Sequence, residues 1–235
     1  MSSNNGTRGP WALGLLLLAA GVPRPLSGAE SWRQAFDVNT AELATVGENA
    51  YFILKPGYQL TLAGKEGGKR VQLVIAVLDE TKNVGGVETR VVEERETSDG
   101  VPLEISRNYF AIDPRSHDIF YFGEDVDTYK HGKIKDHDGG WHHGTERAQF
   151  GLMMPGAPSV GSRYYQEQAP GVAMDRAEVV SLDERASVSA GSYERCLKVK
   201  ETTPLELFAK EYKLYAPGVG LIKDGSLELV SRVVR

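Results

Sequence analysis

Apolar residues along this chain recur with the two-residue period of strands far more than with the 3.6-residue period of helices. Segment 71–78 (VQLVIAVL) is apolar on both faces, as expected for a strand covered on both sides. Further strand patterns occupy 87–97, 103–112, 118–122, 163–168, 174–182, 193–202, 207–215 and 227–234. Within 207–215, Phe208, Lys210, Tyr212 and Leu214 fall on one face, and Ala209, Glu211, Lys213 and Tyr215 on the other. Turn chemistry separates the runs. Asp99-Gly100, Asp224-Gly225 and Gly85-Gly86 suit hairpins, and Pro-Gly pairs begin at Pro56, Pro155, Pro170 and Pro217. The pattern predicts one short helix, 40–46, with Thr40 as N-cap and Glu42 in its first turn.

Many short strands at close spacing predict an all-β fold built on an antiparallel curved sheet, barrel-like or a sandwich, with a lipocalin-like barrel among the alternatives. No fixed-period repeat and no low-complexity linker divides the chain. The expected organisation is a signal peptide at 1–29, a lead-in segment at 30–48 and a single β domain at 49–235. Arg8 supplies the positive start of the leader, 11–20 (WALGLLLLAA) its apolar centre, and Ser27-Gly28-Ala29 the small residues a signal peptidase needs. That centre is shorter than the ~18 apolar residues that span a bilayer, so no stable membrane span is expected. The predicted location is secreted or periplasmic.

Composition narrows the function classes. Of 235 residues, 41% are hydrophobic and 25% charged, which excludes a disordered or collagen-like chain. The net charge of −5, without a cluster of Lys and Arg, argues against a nucleic-acid partner. A single cysteine, Cys196, can form no intramolecular disulfide; its strand pattern predicts a packed thiol facing away from Leu197 and Val199. Serine-elbow, zincin, phosphate-loop and dinucleotide fingerprints are all missing, so an enzyme is the weaker expectation.

The densest chemistry lies at 124–143. Four of the five histidines (His131, His137, His142, His143) stand there among Asp125, Asp127, Asp136 and Asp138. Lys130-His131-Gly132-Lys133 predicts a hairpin turn. A two-residue loop sets Asp127 opposite Asp136 and Asp125 opposite Asp138, with all four aspartates on one face, an arrangement that repels unless a cation sits between them. A three-residue loop instead sets Asp127 opposite His137. The candidate metal ligands are Asp125, Asp127, Asp136 and Asp138 for a Ca²⁺-type ion, and His137, His142 and His143 for Zn²⁺ or Cu²⁺. The bland alternative is a solvated polar hairpin.

Three stretches, Tyr51 to Gly57 (YFILKPG), Tyr121 to Asp125 (YFGED) and Met154-Pro155-Gly156, together with Tyr215 to Leu221 (YAPGVGL), resemble a widespread group of exported bacterial all-β proteins. The resemblance spans roughly residues 49–230 and implies an exported all-β domain; it brings no activity with it. After Trp141 the group's pattern leads one to expect an acidic residue, and this chain has His142-His143. A histidine site would therefore belong to this chain rather than to the group.

The expected function is an exported binding or structural module, with a metal ion at the 124–143 hairpin as the first candidate ligand. A small apolar ligand carried within the curved sheet is the alternative, and a metal-dependent hydrolase a third. The aromatic residues at 109–122 fit either a filled or a hollow interior. Oligomeric state is not read from the sequence.

Overall fold

The computed structural model describes residues 31–234, so the predicted signal peptide at 1–29 lies outside them. The predicted helix over 40–46 is a single 3-10 turn, Thr40–Glu42, and its N-cap is Asn39, whose side chain accepts the Ala41 N–H. The helix stops because Ala44 exchanges backbone hydrogen bonds of 2.8 and 2.9 Å with Ile112, which requires extended chain at that point. The lead-in segment is thereby stitched to the sheet, and Phe36 packs edge-on against Phe120 at 5.9 Å.

β1 (Gly47–Asn49) and β2 (Phe52–Leu54) form a two-stranded ribbon. A second, 15-stranded antiparallel sheet contains the rest. Its first half comprises β3 (Gln59–Glu66), β4 (Lys69–Val84), β5 (Val87–Ser98), β6 (Val101–Ile112), β7 (Ile119–Lys130), β8 (Lys133–Asp136), β9 (Trp141–His142) and β10 (Gln149–Met154). Its second half comprises β11 (Arg163–Tyr165), β12 (Glu167–Gln168), β13 (Arg176–Val188), β14 (Gly191–Thr203), β15 (Glu206–Ala216), β16 (Gly220–Asp224) and β17 (Leu227–Val233). The hydrogen-bonded order is β11-β13-β14-β15-β16-β17-β3-β4-β5-β6-β7-β10-β12, with β8 and β9 also on β7. The all-β antiparallel expectation holds, as a curved sheet without a continuous closed ring.

The two ends of the path are halves of one segment, since β11 and β12 are separated only by Gln166. The sheet therefore curls until 163–168 bridges β13 to β10. Two glycines permit the close approaches. A Cβ on Gly151 would lie 2.2 Å from the Gln166 carbonyl oxygen, and one on Gly123 2.2 Å from that of Trp141. Gly123, at φ 138°, also adopts a conformation that other residues rarely take.

Register fixes what faces inward. Leu73 pairs with Glu96 and Ile75 with Glu94; Glu94 pairs in turn with Ser106, and Asn108 with Glu124. On the other wall Val199 pairs with Lys213 and Glu201 with Glu211. Each inner row thus runs from apolar to charged along its strand: Val92 then Glu94 and Glu96, Val199 then Glu201, Tyr215 then Lys213 and Glu211. The apolar level forms the core, with Leu62, Leu197, Val199, Phe122 and Leu229 all fully buried. Cys196, buried on the opposite face of β14 from Leu197, is the packed thiol expected.

Candidate functional site

The hairpin at 130–133 uses both registers that its sequence allows. Lys130 pairs with Lys133 and Tyr129 with Ile134, as a two-residue loop requires. A bulge at Lys135 then shifts the ladder by one, so that Asp136 faces Thr128 instead of Asp127. Directly opposed residues share a face, so Asp136 leaves the face of Asp125 and Asp127, and the predicted line of four aspartates does not form. Thr128 Oγ1 donates to Asp136 Oδ1, and Lys135 Nζ lies 2.6 Å from Asp136 Oδ2. Asp138 turns to the inner cavity of the sheet.

The remaining donors separate into pairs. Asp125 accepts from Lys82 Nζ at 2.8 Å and from the Tyr109 hydroxyl, and its Oδ1 lies 2.8 Å from His142 Nε2. Burial raises the Asp125 carboxyl, but the Lys82 and Tyr109 hydrogen bonds outweigh it and hold the group below its ordinary range. Burial and the Asp125 carboxylate push the Tyr109 hydroxyl up. Asp127 pairs with His137 Nδ1 at 2.7 Å. His143 stands apart, packed on Phe122 and Phe150, with its Nδ1 accepting the Phe150 N–H at 3.2 Å. Burial lowers its pKa, in keeping with a ring nitrogen that accepts a backbone N–H.

Among the described residues, no group of three or more His, Cys, Asp and Glu is placed to hold a metal ion. Lys82 supplies at Asp125 the positive charge that a cation would bring. The pairs Asp125–His142 and Asp127–His137 do share a shallow pocket of about 380 Å³ with Trp141, Thr145 and Val172. Asp125 could orient His142 for proton transfer there. The Thr145 hydroxyl donates to the His142 carbonyl, and the Tyr109 hydroxyl to the Asp125 carboxylate.

The larger site lies inside the curl. Strands β5 to β7 and β14 to β15 line one cavity of about 570 Å³, although β16, β17, β3 and β4 stand between them in the sheet. Eight carboxylates and one amine, Lys213, line it. Lys213 Nζ lies 2.9 Å from Glu201 Oε2 and 3.6 Å from Asp224 Oδ2. Burial pulls the Lys213 pKa down, yet Asp224 and Glu201 more than compensate and hold it well above its ordinary value.

Most of the other acids have no such partner. Burial first, then like charges, raises Glu94 to about 7, Glu124 to about 8 and Asp175 to about 6. Glu167 is pushed well up by burial and by Asp175. Just beside the cavity, burial and the Asp224 charge raise Glu211 to about 8. A protonated Glu211 gives Asp224 a donor, and the buried Asp224 Oδ1 has no other partner among the described residues.

The wall behind these acids is fixed by buried polar side chains. Gln166 Nε2 donates to Glu201 at 3.0 Å, Asn108 Nδ2 to Ser106 at 3.0 Å, and the Tyr121 hydroxyl to Asn108 Oδ1. Phe110 and Tyr121, stacked at 4.6 Å, add aromatic surface to the cavity. The residue pattern of the chain points to the histidine hairpin and not to this cavity. The signal for the cavity was strand parity: Glu94 and Glu96 share a face with Val92, and Glu201 with Leu197 and Val199, so acids occupy positions that the pattern marks as inward. No protein-family model, curated protein or solved structure matches the chain.

Proposed function

We propose that this protein is an exported binding module that holds a small organic cation, of the amine or polyamine class, inside its curled sheet. The observation that carries this reading is the imbalance of the cavity: eight carboxylates line it with a single ammonium, Lys213, which pairs with one of them, Glu201. Buried acids whose protons are held up to about 7 or 8 are short of positive charge, and a guest ammonium supplies it with hydrogen bonds to ionised carboxylates. The volume lies within the range of small-molecule sites, and the Phe110–Tyr121 face offers a cation–π surface. A purely apolar guest, the alternative expected from the curved sheet alone, would strip water from these acids and return nothing to them.

The metal reading of the 124–143 hairpin has less support. Its donors are engaged in separate pairs, and Lys82 already neutralises Asp125.

Titration calorimetry of the full chain with spermidine tests the proposal, with spermine, hexanoate and hexanol as comparisons. Saturable binding of the amines at micromolar concentration, lost in Glu124→Gln/Glu167→Gln, is the expected result. No heat with either amine, or equal binding of hexanol, would overturn it.

A further inference from the structure

The β14–β15 hairpin carries a feature that the cavity does not explain. Thr203 pairs with Glu206 at its turn, yet the next pair is Thr202 with Lys210. Leu207, Phe208 and Ala209 therefore face no partner on β14, and the bulge throws the first two outward. Leu207 is 85% exposed and Phe208 95%. Leu205 beside them is 48% exposed. Large side chains clustered at a projecting point mark contact with another surface.

The charges around this tip are sorted. Glu206 belongs to the cavity wall on the inner side. On the outer face, Arg176, Thr202 and Lys210 form one cross-strand row directly below the bulge. Arg176 Nε donates to Thr202 Oγ1 at 3.1 Å, and its guanidinium lies 4.4 Å from the centroid of the Trp32 ring. Lys210 is exposed and makes no ion pair among the described residues. Tyr212, two positions further on the same face, is 43% exposed. The order is apolar tip, then cations, then aromatic rings, which matches the layering of a lipid interface: hydrocarbon, anionic head groups and the interfacial zone that Trp and Tyr prefer.

We propose that the Leu207–Phe208 tip inserts into an anionic lipid surface, with Arg176 and Lys210 meeting the head groups. A protruding point suits a bilayer, which yields around it, whereas a protein partner must present a matching socket. Because Thr203, Leu205 and Glu206 of the same hairpin also line the cavity, docking sets the wall of the cavity against the membrane.

Co-sedimentation of the chain with phosphatidylcholine vesicles, with and without phosphatidylglycerol, provides the test. Binding is expected to the anionic vesicles only, to weaken with salt, and to fall at least ~10-fold in Leu207→Ser/Phe208→Ser. Both side chains are already exposed, so this variant is expected to keep the wild-type melting curve. Lys210→Glu is expected to reduce binding while leaving the tip intact. No sedimentation with anionic vesicles, or sedimentation unchanged in the double variant, would overturn the proposal. So would a concentration-dependent dimer abolished by the double variant in the absence of vesicle binding, because the tip would then serve a second copy of the chain.

Discussion

Lys213 and Glu201 meet inside the curled sheet, with the ammonium 2.9 Å from the carboxylate and Glu201 only 3% exposed. The pair is buried among further acids, so its loss is costly: removing one partner of a buried pair leaves an uncompensated charge and costs about 3–5 kcal/mol. Lys213→Met is expected to destabilise by that order at pH 8 and by clearly less at pH 5, where neighbouring acids take up protons. Urea unfolding at the two pH values checks it. Equal losses at both would show that Lys213 is not the counter-charge of the cavity.

The pH dependence of the unmodified protein follows from the same acids. Glu94, Glu96, Glu124 and Glu211 are raised to about 7 or 8 from 4.5. Between those values the folded chain holds more protons than the unfolded one, so stability falls as pH rises. Unfolding free energy is expected to decline from about pH 5 to pH 8, opposite in sign to a protein held by ionised salt bridges. Asp125, with its lowered pKa, adds a separate loss only below its ordinary value of 3.8. Thermal melts across this range in low-salt buffer measure the slope.

Closure of the curl depends on Gly151. A methyl group there would meet the Gln166 carbonyl at 2.2 Å, and both are backbone-held, so β12 must move away from β10. Gly151→Ala is expected to cost roughly 3 kcal/mol, as overpacking does. Gly100→Ala provides the comparison. It sits in an open hairpin at φ 81° with nothing near its Cβ, and is expected to cost about 1 kcal/mol. Denaturant midpoints rank the two, and similar losses would remove the steric argument.

At the 124–143 hairpin the donors form two-residue pairs and Lys82 occupies the position of a cation. Prolonged EDTA treatment is therefore expected to leave the melting temperature within about 1 °C of the untreated protein. A larger drop, reversed by Zn²⁺ or Ca²⁺, would restore the metal reading.

Strand parity and turn chemistry made the fold legible, because both act locally. The run at 71–78 and the pairs Asp99-Gly100 and Asp224-Gly225 all fall where the sheet places strands and hairpins. The site was less legible, for two physical reasons. One bulge at Lys135 changed which aspartates share a face, and a one-residue shift leaves no mark on composition. The cavity also joins strands that lie more than 100 residues apart, such as Glu94 on β5 and Glu201 on β14. Their inward positions could be read from parity, but not their meeting, which depends on how far the sheet curls. The helix at 40–46 failed because a tertiary bond, Ala44 to Ile112, outweighed local preference.

Amine binding and protonation compete for the same carboxylates, which gives the proposed function a signature that simple surface attraction would lack. At pH 7, of the acids that line the cavity, Glu124 is expected to be largely protonated and Glu94 about half so. A guest ammonium favours their ionised forms, so binding must expel protons. Calorimetry with spermidine in buffers of different ionisation enthalpy is expected to report release of about one proton or more per ligand at pH 7. Affinity should accordingly strengthen from pH 5 to pH 8, while the amine stays charged throughout. Glu124→Gln removes one of these protons and should lower both the release and its pH dependence. Binding without proton release, or binding that weakens as the pH rises, would place the amine outside the cavity, on the acidic exterior.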